Sequence, residues 1–202
     1  MASPTIEFLK VFIPLFVVID PFGSLVIFVA VTGTLSAEKK ESVSREASLY
    51  GAAILVFFAL VGGYIIYFFG ISIAALEISG GLILLIMGIE MVREGDKPPS
   101  AGGSSVEDVG IVPLATPMLA GPGAISLVII LMKGSVVTKA FTLVSIVILF
   151  ALVYLFFHYS VRIATMMGPR LIKAITRIFG LLVAGFAIQY MIDALILLQV
   201  LK

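Results

Sequence analysis

The sequence predicts an all-α polytopic membrane protein: six transmembrane helices built as two inverted three-helix repeats, with helices one and four broken. Three observations carry this reading. Hydrophobic residues make up 61% of the 202 positions and charged residues 12%, with a mean hydropathy of +1.23; a soluble domain carries roughly 25% charged residues to wet its surface. Six apolar stretches are each long enough to cross a hydrocarbon core of about 30 Å, for which a helix needs roughly 20 residues. Proline and glycine, the residues that dictate backbone geometry, recur at a shift near 100 along the chain.

The six stretches cover residues 6–31, 49–69, 73–92, 109–132, 140–161 and 178–200. The five amino-terminal residues lack the basic region and small-residue cleavage site of a signal peptide, so the first stretch is expected to be retained as a helix. Between helices one and two lies the charged segment 36–46, which reads as a solvated helix extension with Ser36 as its cap and Glu38 in its first turn. Helices two and three are joined by the turn Phe69-Gly70-Ile71-Ser72. The linker EGDKPPSAGGSSVED, residues 94–108, is rich in Gly, Pro and Ser and divides the chain into a first repeat over 1–93 and a second over 109–202. Residues 133–139 and the basic segment 162–177 separate the last three helices.

Lys and Arg accumulate in short loops on the cytoplasmic side of membrane proteins. Here nine fall on one side: Lys39, Lys40, Arg45, Arg93, Lys97, Arg162, Arg170, Lys173 and Arg177. Only Lys10, Lys133, Lys139 and Lys202 fall on the other. The asymmetry places the linker in the cytoplasm and both termini outside, in a multi-pass protein of the cell membrane. A net charge of +1 with dispersed basic residues excludes a nucleic-acid partner. There is no Cys and a single His, and HExxH and GxSxG are absent, so zinc, thiol and Ser–His chemistry lack their parts and no enzyme or cofactor is implied. An intramembrane aspartyl dyad of Asp20 and Asp193 is the one enzymatic alternative.

The repeat is carried by short echoes. Glu77-Ile78-Ser79-Gly80-Gly81-Leu82 falls on Arg177-Ile178-Phe179-Gly180-Leu181-Leu182 at a shift of 100, as do Met91 on Met191 and Gly23 on Gly123. Ile13-Pro14-Leu15 resembles Val112-Pro113-Leu114, and Pro21 resembles Pro122, within one residue of that shift. Three helices per half force the halves into opposite orientations, a plan common among secondary transporters.

Asp20-Pro21-Phe22-Gly23-Ser24 and Ala120-Gly121-Pro122-Gly123-Ala124 lie inside apolar stretches, where proline removes a donor and glycine accepts non-helical angles, so both helices are expected to break. Pro14 precedes the first break, and Pro113 and Pro117 the second. Irregular backbone at membrane depth persists only against protein or a water-filled cavity. Beyond each break a half-helix start offers N–H groups to a carboxylate. Ahead of it, freed carbonyls and the Asp20 side chain suit an ammonium group or a coupling cation, a proton or sodium ion. Together they fit a zwitterion; kinks used only for packing are the alternative.

The DPFG break, the IxGG stretch of helix three, PLATPMLAGPGAI and RIFGLLVAGFAIQ together resemble the MarC family over nearly the whole chain. The resemblance implies a transporter of small neutral amino acids such as glycine and alanine, ion-driven, with the substrate against Asp20, Pro21, Phe22, Gly23 and Ser24 and against Gly121, Pro122, Gly123 and Ala124. A channel or exporter on the same scaffold is the alternative. The family often has Arg where this sequence has Glu77, while Arg177 retains the basic residue of helix six. Coupling or pathway candidates are Asp20, Glu90, Gln189 and Asp193. Glu90 is also placed to pair with Arg93 at the interface, and Gln189 and Asp193 share a helix face. His158 is expected in an aromatic belt, and the pairs Ala59 with Gly63 and Gly180 with Ala184 in helix packing.

Overall fold

A computed structural model describes residues 3–94 and 119–199. Among them there is no strand, and the order is α1 (Pro4–Ile19), α2 (Pro21–Thr32), α3 (Ala37–Phe68), α4 (Ile73–Glu94), α5 (Pro122–Leu131), α6 (Val136–His158) and α7 (Ser160–Leu197). Five spans are long and apolar enough to cross a bilayer, the first formed by α1 and α2 together over Pro4–Thr32. The linker beyond Glu94 and the first part of the expected fourth helix, including Pro113 and Pro117, lie outside the described residues.

The helix ends follow capping chemistry. Ser3 accepts from Ile6 N–H, Pro4 sits in the first turn where its missing donor costs nothing, and Glu7 faces the positive dipole end. Ser36 accepts from Lys39 N–H at 3.4 Å and Ser135 from Thr138 N–H at 3.1 Å. The α3–α4 turn is a Schellman motif: Ile71 N–H reaches the Ile66 carbonyl at 3.0 Å and Gly70 N–H the Tyr67 carbonyl at 3.1 Å. That closure needs a left-handed residue, and Gly70 supplies it at φ 66°.

The helix extension expected ahead of the second span is present, capped by Ser36 and starting at Ala37, but it is only half solvated: Val43, Ser44, Ala47 and Ser48 are buried. Its inner face packs on α6, where Glu41 accepts from Tyr154 Oη at 2.6 Å and lies 2.6 Å from His158 Nδ1. His158 is thus tied to α3 and is not simply a member of an interfacial belt. The basic segment 162–177 is not a separator but helix. Gly168, at φ 69° and ψ 159° and followed by Pro169, divides α7 into two helical segments. The second reaches from there to Leu197, about 43 Å at 1.5 Å per residue, so its basic first turns extend past the hydrocarbon core.

Packing is set by glycine. Gly81 faces the Ala187 carbonyl and Met191, while Gly88 faces the Gly180 carbonyl and Ala184, so α4 and α7 run antiparallel. A Cβ on Gly88 would lie 2.7 Å from the Gly180 oxygen, and one on Gly180 2.7 Å from the Gly88 oxygen; only glycine at both permits this approach. Ala184 joins the same contact, as expected of the Gly180–Ala184 pair; of the other pair Ala59 is buried, but Gly63 lies under the Lys133 ammonium. Gly51 of α3 receives the Phe150 ring of α6, and Gly62 receives Ile129 of α5. Phe28 and Phe157 stack at 4.3 Å between α2 and α6. The first span is the most enclosed: 56% of its apolar window is buried, against 28–39% in the other four. The outer faces carry exposed apolar side chains such as Tyr67, Phe68, Leu181 and Val147, as a lipid-facing surface requires.

Candidate functional site

The first span breaks at Asp20, which closes α1 and opens α2. Its backbone lies in the left-handed region at φ 43°, ψ 71°, where Asp and Asn are among the few side chains tolerated. The carboxylate Oδ1 accepts from Gly23 N–H at 3.1 Å, the bond expected of an N-cap. Ladder bonds continue on either side, from Asp20 N–H to the Phe16 carbonyl at 3.1 Å and from Ser24 N–H to the Asp20 carbonyl at 3.0 Å. Between them the ladder fails. Pro21 has no N–H for the Val17 carbonyl, and the Ile19 carbonyl accepts instead from Ser24 Oγ at 3.3 Å. Carbonyl oxygens and a carboxylate therefore gather in a buried stretch, with Asp20, Pro21 and Ser24 each buried.

Around this hinge stands an aromatic group drawn from four elements. Phe22 meets Phe156 at 5.0 Å, Phe179 at 5.9 Å and Phe16 at 6.2 Å, each edge to face. Phe16 also meets Phe179 at 5.6 Å. The face of Gly23 is closed by Asp20 and by Thr176 of α7, whose Cγ2 would lie 3.6 Å from an added Cβ.

At the place of the second expected break the described residues show a helix start, without an acid. Gly121 is extended, at φ −72° and ψ 169°, and no side chain caps the helix that follows. Pro122 takes the first helical position, and the first-turn N–H groups of Gly123 and Ala124 face an uncapped start with the dipole's positive end behind them. Gly121, Gly123 and Ala124 are buried, while Pro122 is exposed. Gly123 packs on α4: an added Cβ would lie 2.6 Å from Leu84 Cδ2 and 3.9 Å from Met87 Sδ. Val17, Val18 and Ile19 before the first break share one apolar core with Leu119, Ala120 and Ala124 around the second.

The remaining polar candidates lie elsewhere. Glu90 is exposed and does not pair with Arg93; the salt bridge found among the described residues joins His158 and Glu41. Gln189 donates to Asp193 at 2.8 Å, a bond along one helix face and exposed rather than one to a neighbouring helix. Glu77, one Oε2 of which is buried without a partner, and Tyr190 lie within electrostatic range of Asp193. These residues occupy the α4 start and the α7 end, well removed along the helices from Asp20. Asp20 and Asp193 thus form no dyad. Sequence reasoning missed Thr176, Phe16, Phe156 and Phe179; Thr176 fell in the segment read as a basic loop, and the phenylalanines are indistinguishable in sequence from lipid-facing ones. Among the described residues no group of His, Asp and Glu could hold a multivalent metal ion.

A bundle of apolar helices around a centrally placed broken span defines a polytopic integral membrane protein. The chain belongs to the MarC family: the model of the MarC family integral membrane protein matches residues 5–198. It is 33% identical over 195 residues to a UPF0056 membrane protein of Archaeoglobus fulgidus, covering 93% of this chain and 92% of the relative. It is 30% identical to the UPF0056 membrane protein YvbG of Bacillus subtilis, covering 88% and 89%. A further relative, UPF0056 membrane protein YhcE of Escherichia coli, is 30% identical, covering 93% and 91%. No solved structure matches the chain.

Proposed function

We propose that the protein is a secondary transporter of small neutral amino acids, ion-coupled, working by alternating access around a site at the two helix breaks. The observation that carries the reading is Asp20: a buried acid at a left-handed hinge in the middle of the most enclosed span, beside carbonyls that the break has freed. An acid so placed in a membrane protein is costly unless it serves a ligand, an ion or a specific partner. Its oxygens suit an ammonium group, and the uncapped start of α5 suits a carboxylate. Gly23 and Gly123 are already covered by side chains, which favours a small solute over a bulky one.

An inverted repeat is supported by the way counterparts meet. The third helices of the two halves, α4 and α7, pack antiparallel, and the start of α2 faces α7 while the start of α5 faces α4. Such an arrangement supplies two related bundles that rock about a midplane site. The basic asymmetry supports a cell-membrane orientation with both termini outside. The test is uptake into proteoliposomes holding the purified protein, with labelled glycine, alanine and larger amino acids under imposed proton or sodium gradients. Counterflow of labelled substrate separates a carrier from a channel. No gradient-driven uptake of any small amino acid would overturn the proposal.

A further inference from the structure

One end of the bundle, where α3 and α5 finish and α6 begins, carries a groove of about 480 Å³. Its lining includes Gly63, Tyr64 and Tyr67 of α3, Met132 and Lys133 just past α5, and Lys139 of α6. The size falls in the range of roughly 300–1,000 Å³ that ligand sites occupy. The groove opens on the outer surface of the bundle, where Tyr64 is 76% and Tyr67 86% exposed. Tyrosine, with an apolar ring and a polar tip, suits the headgroup level of a bilayer.

The two lysines differ from ordinary solvated helix ends. A lysine near a helix terminus commonly extends away into water. Lys133 instead lies over α3: an added Cβ on Gly63 would stand 3.2 Å from its Nζ and 3.9 Å from its Cε. Lys139 lies one turn into α6, whose first turn holds no acid and whose dipole presents its positive end there. Neither ammonium has a hydrogen-bond or ion-pair partner among the described residues, whereas Lys40 donates to the Gly33 carbonyl at 3.4 Å. Lys10, Lys133, Lys139 and Lys202 are the basic side chains of their side of the membrane by the charge asymmetry. Two of those four therefore border one groove, and no Asp or Glu lines it.

We propose that this groove binds an anionic phospholipid, with its phosphate between Lys133 and Lys139 and an acyl chain running inward along α3 and α5 past Ala59 and Ile129. Charge complementarity selects the headgroup: two unpaired cations gain most from a headgroup with no cation of its own, and a zwitterionic lipid brings one. Position selects the lipid over a free anion, because the groove continues one helical turn deeper than the lysines, to Ala59 and Ile129, between apolar helices. The bound lipid ties α3 of the first half to α5 and α6 of the second. The site is separate from the helix breaks and does not depend on the transport reading.

The test is native mass spectrometry of the delipidated full-length protein in detergent, titrated with phosphatidylglycerol or with phosphatidylcholine of the same acyl chains. The wild type should bind its first phosphatidylglycerol roughly 10-fold or more tighter than phosphatidylcholine. Lys133→Gln combined with Lys139→Gln should bring that preference to within about twofold. Lys39→Gln with Lys40→Gln removes the same charge elsewhere and should leave the preference intact. Gly63→Leu keeps both lysines but fills the groove, displacing only the flexible end of Lys133, and should weaken binding of both lipids. Thermal unfolding of the lipid-free variants is the folding control. Equal binding of the two lipids by the wild type, or a preference that survives in the folded Lys133/Lys139 variant, would overturn the proposal. So would displacement of the lipid by inorganic phosphate, which assigns the lysines to a small anion, or a dimer that Gly63→Leu dissolves, which assigns the groove to a second copy of the chain.

Discussion

Replacing Asp20 by Asn separates the charge from everything else that residue does. The backbone at φ 43° would cost an ordinary residue about 1–2 kcal/mol, but Asn tolerates it as Asp does. Asn also retains the side-chain oxygen that accepts from Gly23 N–H at 3.1 Å, and as an N-cap it is equivalent to Asp within a few tenths of a kcal/mol. The variant should therefore fold with a stability within about 0.5 kcal/mol of wild type. Asp20→Ala loses the cap, about 1 kcal/mol, and meets the left-handed strain as well, about 1 kcal/mol more. What Asn removes is the charge. A hydrogen bond to a charged partner contributes about 1.5–3 kcal/mol, or roughly 10- to 150-fold in affinity. Uptake in proteoliposomes should reveal which ligand feels it. Loss of substrate binding assigns Asp20 to the ammonium group, whereas preserved exchange with lost accumulation assigns it to coupling, because exchange needs no net ion movement. Wild-type uptake rate and ion dependence in a well-folded Asp20→Asn protein would refute the reasoning and leave Asp20 as a cap.

Three further outcomes are expected. The chain has no cysteine, so single cysteines at Lys39 and at the exposed Val136 should be labelled only from the cytoplasmic and only from the outer side respectively, and labelling from one common side would overturn the six-helix topology. Gly123→Asp should abolish uptake by placing a carboxylate at the start of α5, but Leu84 stands 2.6 Å from any added Cβ. Gly123→Ala is the control for that overpacking, at about 1–3 kcal/mol by thermal unfolding, and full transport by the Asp variant would remove α5 from the site. At the α4–α7 crossing the obstructing atoms are backbone, so Gly88→Val should cost about 1–3 kcal/mol. Gly185→Ala, with nothing within 4 Å of its added Cβ, should be neutral or slightly stabilising. Equal unfolding temperatures for those two variants would contradict the close helix approach.

Much of the architecture was legible in the chain because bilayer thickness makes span length a local property. The same holds for the break at Asp20 and the helix start at Pro122: proline's missing donor and glycine's angular freedom act within a turn, whatever the surroundings. Ser36 and Ser135 cap as their local sequence requires. Helix extent was less legible: the basic turns of α7 read as a loop to hydropathy yet are helical, and the charged extension, expected to be solvated, buries one face of residues 43–48 on its neighbours. Partnerships between distant positions were not legible at all. Glu90 does not use Arg93 three residues away, whereas Glu41 meets Tyr154 and His158 more than 100 residues along the chain. By itself the sequence determined the membrane class, five spans among the described residues and the yielding of the backbone at Asp20, because these follow from transfer energies and local sterics. Only the tertiary structure decided that Thr176 and Phe179 stand beside Asp20 while Asp193 does not, because which faces of antiparallel helices meet is set by close packing at Gly81, Gly88 and Gly180, and not by any residue read alone.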